Sequence, residues 1–464
     1  PLEWFRAQDL LCRHHQDISP HAPTNTGARQ PRNNSVPIRK LRALRALLPS
    51  LALTLFAKTA AAEDTINSGD TAWMITATLL VLLMTLPGLA LFYGGLVRTK
   101  NVLSVLMQCL ISAGMIGVMW VVVGYSLAFG EGNQFIGDLS MLGLQGITPD
   151  SVSGTIPTYV FVMFQGMFAI ITPALMLGAF AERMRFSVYT AFILIWVFVV
   201  YIPLCHMVWG GGFVATQMEA LDFAGGLVVH MSSGFSALVA AIYLGPRRGY
   251  TKDPMHPNNL PLTVIGASLL WAGWFGFNAG SQLAADGTAG LAFITTQTAA
   301  TTTTLVWIVI EWLHRGKPTV LGAATGAVAG LVAITPACAF VTPMGAIAIG
   351  VGAGVFCYGA VTLLKPMLGY DDSLDVFGVH GVGGAWGALA TGLFIADFAL
   401  PEGVTQGEQI MRQLVSIGFT AVFACTATIA ILFLMKLVVG DLRVSEEDES
   451  EGLDLSQHSE SAYS

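Results

Sequence analysis

From residue 71 onward the chain repeats one pattern: a nearly uncharged apolar stretch, a short polar or charged connector, then another apolar stretch. Such stretches stand near 71–93, 101–129, 157–181, 186–206, 223–245, 260–281, 289–311, 320–341, 344–364, 376–396 and 411–437. About 20 helical residues rising 1.5 Å each cross the ~30 Å hydrocarbon core of a bilayer, so each stretch is long enough to span it. The pattern predicts an all-α polytopic membrane protein with eleven transmembrane helices. The seventh stretch is the most polar, with TTQTAATTTT at 295–304. Threonine hydroxyls bond back to carbonyls of their own helix, so it still reads as a span.

Basic residues set the orientation. Arg98, Lys100, Arg183, Arg185, Arg247, Arg248, Lys252, Arg315, Lys317, Lys365 and Arg443 fall at alternate ends of the spans, whereas the opposite ends carry Arg412. By the positive-inside rule the mature N-terminus lies outside and the C-terminus in the cytoplasm, which an odd number of spans requires. Spans one to ten then divide into two groups of five, the second upside down relative to the first. The result is two inverted five-helix repeats plus a final helix. Gly322, Gly326 and Gly330 in the eighth span, with Gly350 and Gly354 in the ninth, read as packing positions for close helix approach.

Composition excludes several classes. The chain is 54% hydrophobic and 11% charged, against roughly a quarter charged in soluble domains. The net charge of -7 is spread over connectors and an acidic tail rather than gathered in one patch, which argues against a nucleic-acid partner. Cys109, Cys205, Cys338, Cys357 and Cys425 sit in or at the ends of apolar spans without CxxC spacing, and read as packing residues. Neither a metal nor another cofactor is expected, and lipid is the surrounding partner. RKLRALRALLPSLALTLFAKTAAAED, 39–64, has the basic start, short apolar stretch and small-residue exit of a secretory signal. The expected division is an N-terminal extension with a cleavable signal peptide over 1–62, a membrane domain over 63–439 and a cytoplasmic tail over 440–464.

Two histidines stand in apolar sequence that carries no full charge after one leading aspartate, His230 in DFAGGLVVHMSSG (222–234) and His380 in LDVFGVHGVGGAWGAL (374–389). An unpartnered ionisable group in hydrocarbon is costly and marks a pathway or relay. Both fall in the fifth span of their repeats, so they enter from opposite faces and can meet near the midplane. A neutral pair there both donates and accepts hydrogen bonds, which suits a small polar species shedding water or a proton being handed on. Asp222, at the outer end of the fifth span, reads either as that helix's N-cap or as a group holding a cation nearby. Trp209, in HMVWGGG (206–212), is either an interfacial anchor or an aromatic face that attracts a cation. Phe168 in FQGMF (164–168), with Phe277 and Ser281 in WFGFNAGS (274–281), are individually ordinary helix residues. VVVGYS (121–126) has a slight likeness to a potassium filter, but it occurs once and inside a good span. HExxH, GxxxxGK[ST] and GxSxG signatures are absent, so an enzyme has no support.

Taken together, DTAWM (70–74), PGLALFYGGLVRTKN (87–101), HMVWGGG, DFAGGLVVH, WFGFNAGS, TPACAFV (335–341) and DVFGVHGVGG (375–384) resemble the ammonium transporter family in its bacterial Amt branch. The resemblance runs from about residue 63 to the C-terminus. It implies eleven spans, an outside N-terminus, a homotrimer with one pore in each subunit and residence in the bacterial inner membrane. It also assigns roles: Trp209 and Ser281 as the outer ammonium site with Phe168 as a further wall, and Phe168 with Phe277 as a stacked gate. His230 and His380 become the twin pore histidines, and Asp222 the buried aspartate beside the recruitment site. The tail run RVSEEDESEGLD (443–454), acidic enough to be disordered alone, is similar to the family's regulatory segment, against which a cytoplasmic PII-type signalling protein docks. A sensor that binds ammonium to signal is the second reading. The tail is too short for an enzymatic or receiver module, which favours transport.

Overall fold

A computed structural model describes residues 65–463. The expected extension and signal peptide, residues 1–62, lie outside the described residues. Apart from a two-stranded hairpin, Val152–Ser153 against Ile156–Pro157, the regular structure is helical. Among the described residues nine helices are long and apolar enough to cross a membrane. They are α1 Ser68–Leu96, α2 Thr99–Phe129, α3 Thr158–Phe180, α4 Phe186–Trp209, α5 Gly226–Leu244, α6 Leu260–Gly280, α7 Gly287–Arg315, α9 Pro343–Leu368 and α11 Gln406–Val439.

The other two expected spans are also helical, but differ in kind. The helix α8, Val320–Ile334, has only 15 residues and is buried from Gly326 to Ile334. The helix α10 consists of a π turn, Phe377–Gly381, followed by Val382–Phe394. Glycines at 378, 381, 383, 384, 387 and 392 dilute its hydropathy. The first falls short of a full span by length and the second by its glycines. The protein is an all-α polytopic membrane protein.

Small residues let these helices approach. A Cβ on Gly266 of α6 would fall 2.1 Å from the Phe92 nitrogen of α1, and one on Gly273 would meet Met84 at 2.1 Å. Gly322, Gly326 and Gly330 of α8 lie against Glu311, Trp307 and Thr303 of α7, while Gly350 and Gly354 of α9 meet Thr302 and Val306 of α7. The threonine-rich helix is thus the common partner of both glycine stripes, and Thr301, Thr302, Thr303 and Thr304 bond back to carbonyls of their own helix.

The basic connectors are pinned by buried carboxylates. Asp371 accepts hydrogen bonds at 2.8 Å from the Arg247 backbone and at 2.9 Å from its Nε and Nη2, while Arg183 Nη2 donates to the Asp371 carbonyl at 2.6 Å. Glu182 pairs with Arg98 and Arg247. The tail is ordered against this face rather than disordered. Its helices α12 Glu446–Glu451 and α13 Leu453–His458 dock through Asp454, which accepts from the Ser104 nitrogen at 2.8 Å, and through the Leu453 nitrogen, which donates to Asn101 Oδ1 at 2.8 Å. Acidic composition suggests disorder only until these few residues find a helix N-terminus and a side-chain amide to bond.

Candidate functional site

The fifth and tenth helices meet where both lack side chains. A Cβ on Gly234 would lie 2.2 Å from the Gly381 nitrogen, and one on Gly384 would lie 3.0 Å from the Gly226 carbonyl oxygen. This crossing brings together His230 and His380, which both sit in π turns, Gly226–Met231 and Phe377–Gly381. Their Nδ1 atoms are 3.2 Å apart and both rings are buried. Five further π turns, such as Met84–Leu89 and Val197–Tyr201, lie among the described residues, so it is the meeting of these two, and not the turn type, that sets the histidines apart.

Hydrogen bonding around the pair orders its protons. Thr335 Oγ1 donates to the Leu331 carbonyl at 2.8 Å, accepts from Trp274 Nε1 at 2.9 Å, and lies 3.3 Å from His230 Nε2. With its one hydrogen already used, the hydroxyl accepts from His230 Nε2–H. That leaves His230 Nδ1 to accept from His380 Nδ1–H.

Each π turn begins over an aspartate eight positions before its histidine. Asp222 Oδ1 accepts from the nitrogens of Gly225 and Gly226 at 2.9 and 2.6 Å, and Oδ2 from those of Leu227 and Val228 at 2.8 and 3.2 Å. Asp222 is not itself the N-cap, a position that falls to Gly225, but from three residues earlier its carboxylate satisfies the free nitrogens at the start of the helix with both oxygens in use. Gly225, at φ +114°, supplies the left-handed turn this wrap requires. In the other repeat Asp372 Oδ2 accepts from the Phe377 nitrogen at 2.9 Å. Asp372 and Thr335 escaped the sequence reading, although the equal Asp–His spacing in the two repeats was a usable signal for Asp372.

Outward from the histidines the rings continue without a break. His230 stacks on Phe277 with centroids 5.9 Å apart, Phe277 on Phe168 at 4.3 Å, and Phe168 meets Trp209 edge to face at 5.8 Å. Trp209 ends α4, and its Nε1 donates to the Asp222 carbonyl at 2.9 Å, which holds the indole against the capped turn. Ser281 follows the last residue of α6, and its hydroxyl donates to the Phe277 carbonyl at 2.8 Å, leaving its lone pairs free to accept.

This line of rings separates two cavities. An outer one of about 320 Å³ is lined by Phe161, Gln165, Phe168, Trp209, Phe223 and Ser281, among others. An inner one of about 550 Å³ reaches Tyr93, Glu311, Tyr358, Asp375 and His380. The waist between them, walled by Phe277, Trp274, His230 and His380, offers about 10 Å³, no more than the room one water needs. The site residues named from the sequence therefore gather along one line. Trp209, Phe168 and Ser281 stand at the outer cavity, Phe277 and the histidines at the waist, and Asp222 beside the Trp209 indole N–H, which donates to its backbone carbonyl.

Comparison with known proteins agrees with this architecture. The chain is 50% identical over 402 residues to the ammonium transporter of Bacillus subtilis (strain 168), covering 85% of this chain and 98% of that protein. Among solved structures, Saccharomyces cerevisiae Mep2 superposes with a TM-score of 0.77 at 35% identity, covering 82% of this chain and 89% of that one. A sensor Amt protein gives a TM-score of 0.78 at 29% identity, covering 84% of this chain and 98% of that one. Residues 72–463 match the Ammonium Transporter Family, and the chain belongs to that family of membrane transporters.

Proposed function

We propose that this transporter collects ammonium at the outer aromatic cavity, where the N–H bond breaks and the proton passes to solvent water, and conducts the resulting ammonia through the apolar waist past His230 and His380. The observation that carries this reading is the unbroken ring path from Trp209 to the histidine pair across a waist of about 10 Å³. Trp209 and Phe168 offer π faces to a cation, and Ser281 Oγ offers an acceptor lone pair. Asp222 adds negative charge near the indole of Trp209 while spending its lone pairs on the nitrogens that open the π turn. Ammonium and potassium are alike in size and charge, so a hole of fixed radius does not separate them. Ammonium can surrender a proton and potassium cannot. A waist too narrow for a hydrated ion and too apolar for a bare one therefore passes the nitrogen compound and stops the metal. The paired imidazoles supply polar contacts below the gate.

The same reading places the protein in the bacterial inner membrane, with the mature N-terminus outside and the C-terminus in the cytoplasm, as a homotrimer. Both cavities and the waist lie within one chain, which suits one pore in each subunit. A PII-type protein docking at the tail is part of this reading. The test is ammonium uptake into vesicles holding the purified chain, together with current on a supported membrane. Ammonium-dependent uptake with potassium excluded supports the reading. Binding without uptake would instead favour a sensor.

A further inference from the structure

The stripe of α3 that faces the outer cavity reads Phe161, Gln165, Phe168, positions one helical turn apart. Gln165 is out of keeping with its neighbours. It is 9% exposed, and its Oε1 has no hydrogen-bond partner among the described residues. A buried amide left unpaired is unfavourable, and a methionine or leucine would fill the same wall without that penalty. Of the side chains lining the outer cavity, Gln165 and Ser281 are the two that carry oxygen. Trp209 Nε1 is already committed to the Asp222 carbonyl.

We infer that Gln165 is a second hydrogen-bond acceptor for the ion in the outer cavity, acting with Ser281. This rests on the outer cavity being where ammonium is collected. The terminal torsion of glutamine is broad and its two ends are nearly equal in size, so a turn about that bond brings Oε1 onto the cavity. Ammonium carries four N–H donors in tetrahedral array. One donates to Ser281 Oγ, whose own hydrogen is bound to the Phe277 carbonyl, and another to Gln165 Oε1. The remaining faces meet the π surfaces of Trp209 and Phe168. Two oxygen acceptors also suit potassium, so Gln165 sets affinity at the entrance and leaves exclusion of potassium to the waist.

The test is uptake of ¹⁵N-ammonium into vesicles holding the full chain, comparing the parent with Gln165→Met, Gln165→Glu and Ser281→Ala. Loss of a hydrogen bond to a cation should raise the apparent KM of Gln165→Met about tenfold or more, with maximal rate within about twofold of the parent and potassium still excluded. Gln165→Glu should lower the apparent KM, because it sets a carboxylate where the amide oxygen acts, and it serves as the deciding variant if the methionine protein folds poorly. Should both Gln165 variants keep the parent's KM while Ser281→Ala raises it, Gln165 is a wall residue and the inference is wrong. Should Ser281→Ala leave KM unchanged as well, the outer-cavity reading itself fails.

Discussion

His230 and His380 face each other nitrogen to nitrogen, Nδ1 to Nδ1 at 3.2 Å, although 150 residues of chain separate them. The contact exists because Gly234 and Gly381 let two helices of opposite repeats nearly touch one turn away. Each ring therefore depends on the other for its tautomer, and His230 also on Thr335, which takes the hydrogen of its Nε2.

Removing one ring should harm transport more than folding. An unpaired buried imidazole costs about 1–3 kcal/mol, small for a protein of this many packed helices. His230→Asp is the informative case, because a fixed negative charge at the waist favours the cation over neutral ammonia. The expected outcome is an assembled protein that no longer discriminates against potassium, read as ammonium flux in vesicles with and without excess potassium. If His230→Ala, His380→Ala and His230→Asp all transport like the parent with potassium still excluded, the histidines are packing residues only.

Phe168 and Phe277 fill the lumen above the pair with centroids 4.3 Å apart. On the proposed path these two rings are the gate: they would have to swing for anything to pass and, while closed, would keep hydrated ions from the waist. Phe277→Ala removes both that barrier and the ring stacked on His230. Selective conduction should change or be lost, as measured by ammonium and potassium currents on a supported membrane. A variant equal to the parent in rate and selectivity would remove Phe277 from the gate.

The helix crossing itself is open to test. At Gly234 an alanine Cβ would meet the backbone of Gly381 at 2.2 Å, and backbone cannot yield as a flexible side chain would. Overpacking of this kind costs typically about 1–3 kcal/mol and moves the helices apart. Gly234→Ala should lower the unfolding temperature in detergent and abolish uptake. Gly359→Ala, where the added Cβ meets nothing within 4 Å, should leave both nearly unchanged.

Much of this was legible because hydrocarbon is unforgiving. A histidine without a charged neighbour, such as His230, stands out in a span as it would not in a soluble core, and Asp222 announced a helix start. Thr335 was hidden for the opposite reason, since a single hydroxyl in TPACAFV is unremarkable until Trp274 and His230 converge on it. Asp372 was masked by its neighbours Asp371 and Asp375, with only the eight-residue spacing to His380 to single it out. The helices α8 and α10 are buried enough to spare apolar side chains, so glycine and brevity blurred their edges. The docking of the tail was beyond composition, because it rests on particular pairings such as Leu453 with Asn101.

The connector charges make a pH prediction. Burial alone would lift the Asp371 carboxyl, but the hydrogen bonds and charge of Arg247, with the charge of Arg183, outweigh it and hold the group below its usual range. A carboxylate depressed in the folded state contributes stability above its unfolded value, near pH ~3.9, and that contribution is lost as pH falls through the folded value. Asp371→Asn leaves the buried Arg183 guanidinium without a carboxylate partner and Arg247 with Glu182 alone, and breaking a buried pair in this way costs about 3–5 kcal/mol at neutral pH. Its unfolding temperature should be well below the parent's at pH 7, and the gap should shrink on acidification below about pH 4. A gap that is constant with pH would mean the carboxylate is not the stabilising partner.

The tail links this connector layer to the membrane helices. Arg443 Nη1 donates to the carbonyls of Leu244 and Pro246, at the end of the helix that carries His230, and its Nη2 pairs with Glu449 at 2.7 Å. Farther along, Asp454 caps the start of α2 through the Ser104 nitrogen, and Lys100 Nζ donates to the Ser450 carbonyl at 2.6 Å. Asp454→Ala removes a cap, a loss of about 0.5–2 kcal/mol. That is small for the membrane domain but a larger share of what holds two six-residue helices. The variant's tail should therefore be cut by protease sooner than the parent's while the membrane domain keeps its unfolding temperature. If the tail is also the regulatory segment, deletion of residues 443–464 should alter the transport rate and abolish inhibition by a PII-type protein. Unchanged transport together with unchanged inhibition would reduce the tail to a structural strap.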